Sequence, residues 1–245
     1  MSNTLILIPS RLAATRLPRK PLLKINNLSI ILHVVSKALK SGIGEVYVCT
    51  GDREIFEEVK SNGGNSILTS QDHQTGTDRI YEGFKKLNLN VEYVLNIQGD
   101  EPMIDIEDIK NLSLIAQKNR SEIATLACKF DDQKKINNEN IVKVETFNKL
   151  NFKNSSKAKK FTRKKHNADS KNIYHHIGIY HYKVSMLKKF TELPQTKNEI
   201  NLKLEQLRAL ENNINIDVIL ANSAPIGVDT EKDYMEIKKL MEYKS

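Results

Sequence analysis

The 245-residue sequence contains no tryptophan, and aromatic residues make up only 6% of it. Proteins that hold single-stranded nucleic acid without sequence preference interleave cations with stacking aromatics. The formal charge of +8 lacks that counterpart, so no nucleic-acid partner is expected. Much of the basic excess lies between Lys153 and Lys165, where Lys157, Lys159, Lys160, Arg163 and Lys164 are accompanied by one aromatic, Phe161. A solvated basic segment is the plainer reading of that run. The two cysteines, Cys49 and Cys128, stand in apolar, strand-like stretches and form no C-x-x-C pair, which argues against a disulfide framework or a thiolate metal site and fits a reducing cytoplasm. No apolar run is long enough to span a membrane. The N-terminal one ends at Pro9 and Arg11, too soon for a signal-peptide core. Neither G-x-x-x-x-G-K-[ST] nor G-x-G-x-x-G occurs, so a Walker-type nucleotidase and a dinucleotide-binding enzyme lose support. No internal repeat is visible.

What is present is an alternation of short β-rich runs and longer helical periods, the pattern of βα units around a mostly parallel sheet. At this length and 39% hydrophobic content, one α/β domain over residues 1–245 is expected. Strands are expected at Thr4–Pro9, Glu45–Thr50, Tyr93–Gln98, Ile123–Cys128 and Ile214–Leu220. Ile80, Phe84 and Leu87 recur at helical spacing behind Thr75 and Asp78, a helix start signal; Ile106, Ile109, Leu112 and Ile115 repeat the period. Thr230 and Asp233 mark a last helix beginning just after Asp229. From Phe147 to Asn172 the periodicity fails and Asn, Lys and Ser dominate. This basic stretch is read as a long excursion from the sheet.

Three segments bring charge to the places where such sheets bind ligands. Directly after the first expected strand, Ile8-Pro-Ser-Arg-Leu-Ala-Ala-Thr-Arg-Leu-Pro-Arg-Lys-Pro-Leu22 carries Arg11, Arg16, Arg19 and Lys20 on one loop. Ligands of open α/β sheets bind at the carboxyl edge, and a polyphosphate requires several cations, so a triphosphate is the natural candidate. By charge alone a solvated basic loop accounts for it equally well. The small pair Ala13 and Ala14 would let backbone amides approach phosphates. In Asn96-Ile-Gln-Gly-Asp-Glu-Pro102, an apolar strand runs into a turn where Asp100 is a hard oxygen ligand suited to Mg²⁺, and Gly99 permits close backbone approach. Asp229, in Ile226-Gly-Val-Asp-Thr230, taken alone reads as part of a helix cap.

R-x-x-x-T-R-L-P-x-K-P-L, N-I-Q-G-D-E-P and G-V-D-T, in that order, resemble the 3-deoxy-manno-octulosonate (Kdo) cytidylyltransferases, a branch of the sugar nucleotidyltransferases. The resemblance runs from about Ile6 to about Asp233. It implies a Rossmann-like nucleotidyltransferase fold and a nucleotide site of Pro9, Ser10, Arg11, Arg16, Lys20, Thr75 and Asp100. Asp100 and Asp229 would hold Mg²⁺, and Arg11, Lys20, Asp100 and Asp229 would carry the chemistry. The family has glycine where Arg19 stands, and Arg19 is expected to point to solvent. For the acceptor it implies Gln98; Arg79 in Gln74-Thr-Gly-Thr-Asp-Arg79; His176 and Tyr180 in His175-His-Ile-Gly-Ile-Tyr180; and Glu205 and Gln206 in Leu204-Glu-Gln-Leu-Arg208. Lys157 falls where the family has arginine, keeping the charge without the planar fork, and His175 replaces another arginine. Arg79 pairing with Asp78 or Glu82 on the surface is the plainer alternative. Lone histidines on strands are more often structural, and Glu205 and Gln206 read by themselves as exposed helical residues.

The reaction so implied is attack of the anomeric hydroxyl of Kdo on the α-phosphorus of CTP, giving CMP-Kdo and pyrophosphate for lipopolysaccharide synthesis, by a cytoplasmic homodimer that pairs through residues 147–172. Three other readings stand beside it: transfer to a related acid such as 8-amino-3,8-dideoxy-manno-octulosonate or a sialic-acid-like sugar, a nucleotide sensor without turnover, and a polyanion binder.

Overall fold

A computed structural model describes residues 3–13, 16–164 and 172–243. Ala14 and Lys165 lie outside the described residues, as do 166–171 of the basic excursion. The chain forms two compact units, one of residues 1–109 and 225–245 and the other of residues 110–224.

The first unit is built on four parallel strands. β1 (Thr4–Ser10) lies between β4 (Val46–Thr50) and β6 (Tyr93–Asn96), and β5 (Asn65–Leu68) extends the sheet beyond β4. Strands covered on both faces read as continuous apolar runs rather than alternations. Leu5, Ile6, Leu7 and Ile8 are accordingly all at most 1% exposed. The hairpin β2 (Lys24–Ile25) and β3 (Leu28–Ser29) leads into α1 (Ile30–Ser41), and α2 (Arg53–Ser61) and α3 (Gly76–Leu87) complete the crossovers. Thr75 caps α3 by accepting the N–H of Asp78. After α4 (Ile106–Lys118) carries the chain into the second unit, the first unit regains its last element, α9 (Glu231–Glu242). Here the expected start signal forms a full capping box, with Thr230 Oγ1 accepting from Asp233 N and the Asp233 carboxylate accepting from Thr230 N. Ile237 and Val228 pack with Ile25 and Ile30, which anchors the Ile226–Asp229 segment beside the hairpin.

The expectation of parallel pairing describes the first unit; the second is mixed. β7 (Ile123–Cys128) pairs in parallel with β11 (Asp217–Leu220), but β10 (Ile173–Lys183) runs antiparallel to β7 and to β8 (Lys143–Thr146). β9 (Ser156–Thr162) is antiparallel to both β8 and β11. The five strands thus pair in a closed cycle. This corrects the reading of Phe147–Asn172 as irregular, because its middle is a strand. The period of two is there at its start, but Ser156 and Ala158 occupy the buried positions that alternate with exposed Lys157 and Lys159, where branched apolar side chains would have announced it. β8 was hidden for a related reason. Lys143 is buried at 0% exposure, its ammonium donating to the carbonyls of Asn138, Ile141 and Arg163 at 2.8, 3.0 and 2.7 Å. The helices α5 (Gln133–Ile136), α6 (Val184–Glu192), α7 (Lys197–Leu202) and α8 (Leu207–Glu211) complete the unit.

Candidate functional site

Parallel pairing puts the carboxyl ends of β1, β4, β5 and β6 on one edge of the first unit, and the charged loops follow from those ends. Ser10 ends β1 with its hydroxyl buried and without a hydrogen bond among the described residues, the condition of a group that waits for a ligand atom. Pro9 packs against the first turn of α3: a Cβ built on Gly76 would lie 3.1 Å from the Pro9 ring. This brings Pro9 and Thr75 together at a helix N-terminus, where free amides favour an anion. Arg11 is exposed, and the next residue, Leu12, donates its N–H to Asp52 at the start of α2 (2.8 Å). Gly99 is required by close approach, since a Cβ there would stand 2.9 Å from the Pro9 carbonyl oxygen.

Asp100 and Asp229, far apart in sequence, converge on Lys20. The Lys20 ammonium donates to Asp100 Oδ2 at 2.5 Å and to Asp229 Oδ1 at 3.2 Å, and Arg16 reaches Asp229 Oδ2 at 3.1 Å. A backbone bond from Val228 N–H to the Asp100 carbonyl (2.9 Å) ties the two loops together. Burial works against the charge on Lys20, but Asp100 and then Asp229 outweigh it and raise its pKa. Glu101 shows the field in the opposite sense: burial first, then Asp100 and Asp229, push its carboxyl up to about 8 against the pull of Lys20. Arg19 turns away from this group, half-exposed and paired with Glu54 on α2.

Among the described residues no group of three or more His, Cys, Asp or Glu side chains is arranged to hold a metal. The Asp100–Asp229 pair nevertheless suits a hard divalent ion. Both carboxylates already reach one cationic atom, and Mg²⁺ commonly takes one or two protein carboxylates and fills its shell with phosphate and water.

Arg79 takes neither the surface pairing with Asp78 or Glu82 nor an exposed position. It is 4% exposed, and its Nη1 donates to Thr69 Oγ1 and to the Ser70 carbonyl, each at 2.8 Å. Glu82 holds the same loop by accepting the Ser70 N–H at 3.0 Å and pairing with His73. Burial acts the other way, but Lys86, the Ser70 amide and His73 bring Glu82 down to about 2. Arg79 therefore braces the loop behind β5. Gln98 lies half-buried in the turn before Asp100.

The remaining acceptor candidates belong to the second unit. His176 is buried, with Nε2 at 3.1 Å from both Thr125 Oγ1 and the Tyr180 hydroxyl. Burial, then His175 and Arg163, drive its pKa down to about 3, so it is neutral. His176 and Tyr180 stand four apart on β10, whose pairing with β7 shifts register between Ile177 and Tyr180. Burial raises the Tyr180 hydroxyl well above its ordinary value, and Tyr182 and Glu205 push it the same way. Gln206 is not the exposed residue its helical spacing suggests: it is 7% exposed, and its Nε2 has no hydrogen bond among the described residues. Lys157 stands on the exposed side of β9. A buried pair that the sequence reading missed lies next to these residues, Glu199 with Arg208. Its available signal was the capping-box spacing of Thr196 and Glu199, which the structure forms.

Comparison with known proteins places this geometry among relatives. The sequence profile of a family described as Cytidylyltransferase matches residues 5–216. A 3-deoxy-manno-octulosonate cytidylyltransferase of Brucella anthropi is 40% identical over 233 residues, covering 94% of this chain and 93% of that one. A solved structure of a CMP:2-keto-3-deoxy-manno-octonic acid synthetase complexed with CTP superposes with a TM-score of 0.91 at 32% identity over 100% of both chains. A UDP-glucose pyrophosphorylase, at 16% identity over 100% of both chains and a TM-score of 0.72, shares the fold.

Proposed function

The chain belongs to the cytidylyltransferase family, and we propose that it transfers CMP from CTP to 3-deoxy-D-manno-octulosonate, releasing pyrophosphate and supplying CMP-Kdo for lipopolysaccharide synthesis. The observation that carries this reading is the convergence of Asp100 and Asp229 on Lys20, at the sheet edge where Arg11 and Arg16 also emerge. In the transfer, the anomeric hydroxyl oxygen of the acceptor bonds to the α-phosphorus while the bond to the bridging oxygen of pyrophosphate breaks. Such chemistry depends on positioning and charge neutralisation rather than on a protein nucleophile. Arg11, Arg16 and Lys20 hold the β- and γ-phosphates and take up the charge of the leaving pyrophosphate. Ser10, Pro9 and the α3 N-terminus at Thr75 bound the nucleotide. Asp100 and Asp229 would hold Mg²⁺, which supplies a lower pKa for the attacking hydroxyl and neutralisation at the α-phosphate. The acceptor contacts in this reading are Gln98, Lys157, His176, Tyr180, Glu205 and Gln206, and Arg79 acts through the loop it braces.

The enzyme is cytoplasmic and homodimeric in this reading. Cys49 and Cys128 are both buried and form no disulfide among the described residues, which a reducing compartment accommodates. Phe147 and Phe152, 60% and 55% exposed, offer apolar surface for a second copy. The test is pyrophosphate release from CTP and Mg²⁺ with Kdo, 8-amino-Kdo, a sialic acid or no acceptor. Release with Kdo alone is expected, and Asp100→Asn is expected to lower it by about 10³-fold with circular dichroism unchanged. Release with another acid in place of Kdo would reassign the acceptor, and full activity of Asp100→Asn would remove the metal assignment.

A further inference from the structure

Glu199 and Arg208 are 3% and 2% exposed, and the guanidinium is held by several bonds: Nε lies 3.0 and 3.2 Å from the two carboxylate oxygens and Nη2 lies 2.5 Å from Oε1. A buried ion pair of this kind is a poor way to add stability, because removing two charges from water costs about as much as their attraction returns. What the pair does here is geometric. Glu199 Oε2 accepts the Thr196 N–H at 3.1 Å, which starts α7, and the Glu199 carbonyl accepts the N–H groups of Lys203 and Leu204, which end it. Lys203 then takes a left-handed conformation at φ 52° and turns the chain into Leu204-Glu205-Gln206. On the far side of that turn Arg208 N–H donates to the Glu205 carbonyl at 3.0 Å. The Arg208 guanidinium stacks 4.7 Å from the centre of the Phe190 ring, and its Nη2 lies 3.7 Å from Glu205 Oε1. Both ends of the turn are therefore fixed to one carboxylate–guanidinium pair, and the turn presents Gln206, whose buried amide nitrogen has no hydrogen bond among the described residues.

We propose that Glu199 and Arg208 are positioning residues that set Glu205 and Gln206 at the spacing needed for the hydroxyls of a polyhydroxylated acid. This rests on the reading of Glu205 and Gln206 as acceptor contacts. The planar fork of Arg208 bonds Glu199 from two nitrogens at once, which lysine cannot do.

The experiment measures KM for Kdo and for CTP separately, together with thermal melting, in Arg208→Lys, in the uncharged double variant Glu199→Gln/Arg208→Gln, and in Glu205→Ala and Gln206→Ala. Displacing a recognition group by even an ångström costs on the order of 10- to 100-fold. Arg208→Lys and the double variant are thus expected to raise the Kdo KM by that factor, with the CTP KM changed less than about twofold. Equal rises in both KM values, or a lower melting temperature with the Kdo KM unchanged, would reduce the pair to a structural one. If Glu205→Ala and Gln206→Ala leave the Kdo KM at its original value, the acceptor site itself lies elsewhere and the inference falls with it.

Discussion

Arg19 holds φ 59°, in the left-handed region where a Cβ meets the following carbonyl, and its Glu54 partner is exposed enough to be well screened. Arg19→Gly is therefore expected to raise the melting temperature by a few degrees. Arg19→Ala, which loses the ion pair and keeps the strain, is expected not to raise it. Melting curves of the two variants beside the parent decide this, and a gain in the alanine variant would refute the strain argument. The same residue shows what the sequence discloses at this scale. A motif with arginine at a glycine position signals a turn, but its partner on α2 follows only from the folding of two crossovers. Asp100, Asp229 and the cations around them were legible because each sits in a segment whose residue types suit phosphate or metal chemistry. Their convergence on Lys20 was not, since cations and carboxylates some eighty and two hundred positions apart carry no mark of proximity. Glu199 and Arg208 were passed over because charged residues on short helices ordinarily face water.

Among the elements, α9 is tied to the site by its cap. The Asp233 carboxylate that accepts from Thr230 N–H also accepts the N–H of Asp229 at 3.2 Å, so the capping box fixes the backbone that carries one of the two converging carboxylates. Thr230→Ala is expected to cost about 1 kcal/mol of stability and to raise the Mg²⁺ concentration needed for half-maximal turnover, while Thr230→Ser restores both. Denaturant titration and a magnesium titration of activity check the two halves separately; an unchanged magnesium requirement would confine the cap to stability. The caps at Thr75 and Thr230 and the apolar strands β1 and β7 could be read from sequence because local chemistry and tertiary role agree there. β8 and β9 could not. Lys143 and Ser156 are buried only because carbonyls and neighbouring strands receive them, a tertiary circumstance that no window of residues contains.

At the scale of the whole molecule, three histidines share a fate that shapes its pH dependence. Burial first lowers His175 to about 4, with Lys135 adding to it; it lowers His176 to about 3 and His181 to about 4. An unfolded histidine titrates near 6.5, so each contributes stability that is present above that pH and lost as the pH falls toward the folded value. The slope approaches about 1.4 kcal/mol per pH unit for each. Acting together they amount to about 4 kcal/mol per unit, against a typical total of roughly 5–15 kcal/mol. Glu101, held up at about 8 in the fold against about 4.3 when unfolded, works the other way and adds stability as the pH falls from 8. Unfolding measured from pH 8 to 4 is thus expected to show a shallow rise to a maximum near pH 7 and a decline below it, with net proton uptake of about two per molecule near pH 5. A level curve between pH 6.5 and 5 would show that these rings are not buried as neutral groups.

The ammonium between Asp100 and Asp229 has a last consequence. A pocket with two bare carboxylates would store electrostatic repulsion in its resting state and repel an incoming polyanion. Here Lys20 serves as a tethered counter-ion, so the resting pocket is close to neutral, and in the proposed reaction loading would be an ion exchange. The arriving nucleotide would supply the anion that draws the tethered cation off, leaving the carboxylates to a mobile one.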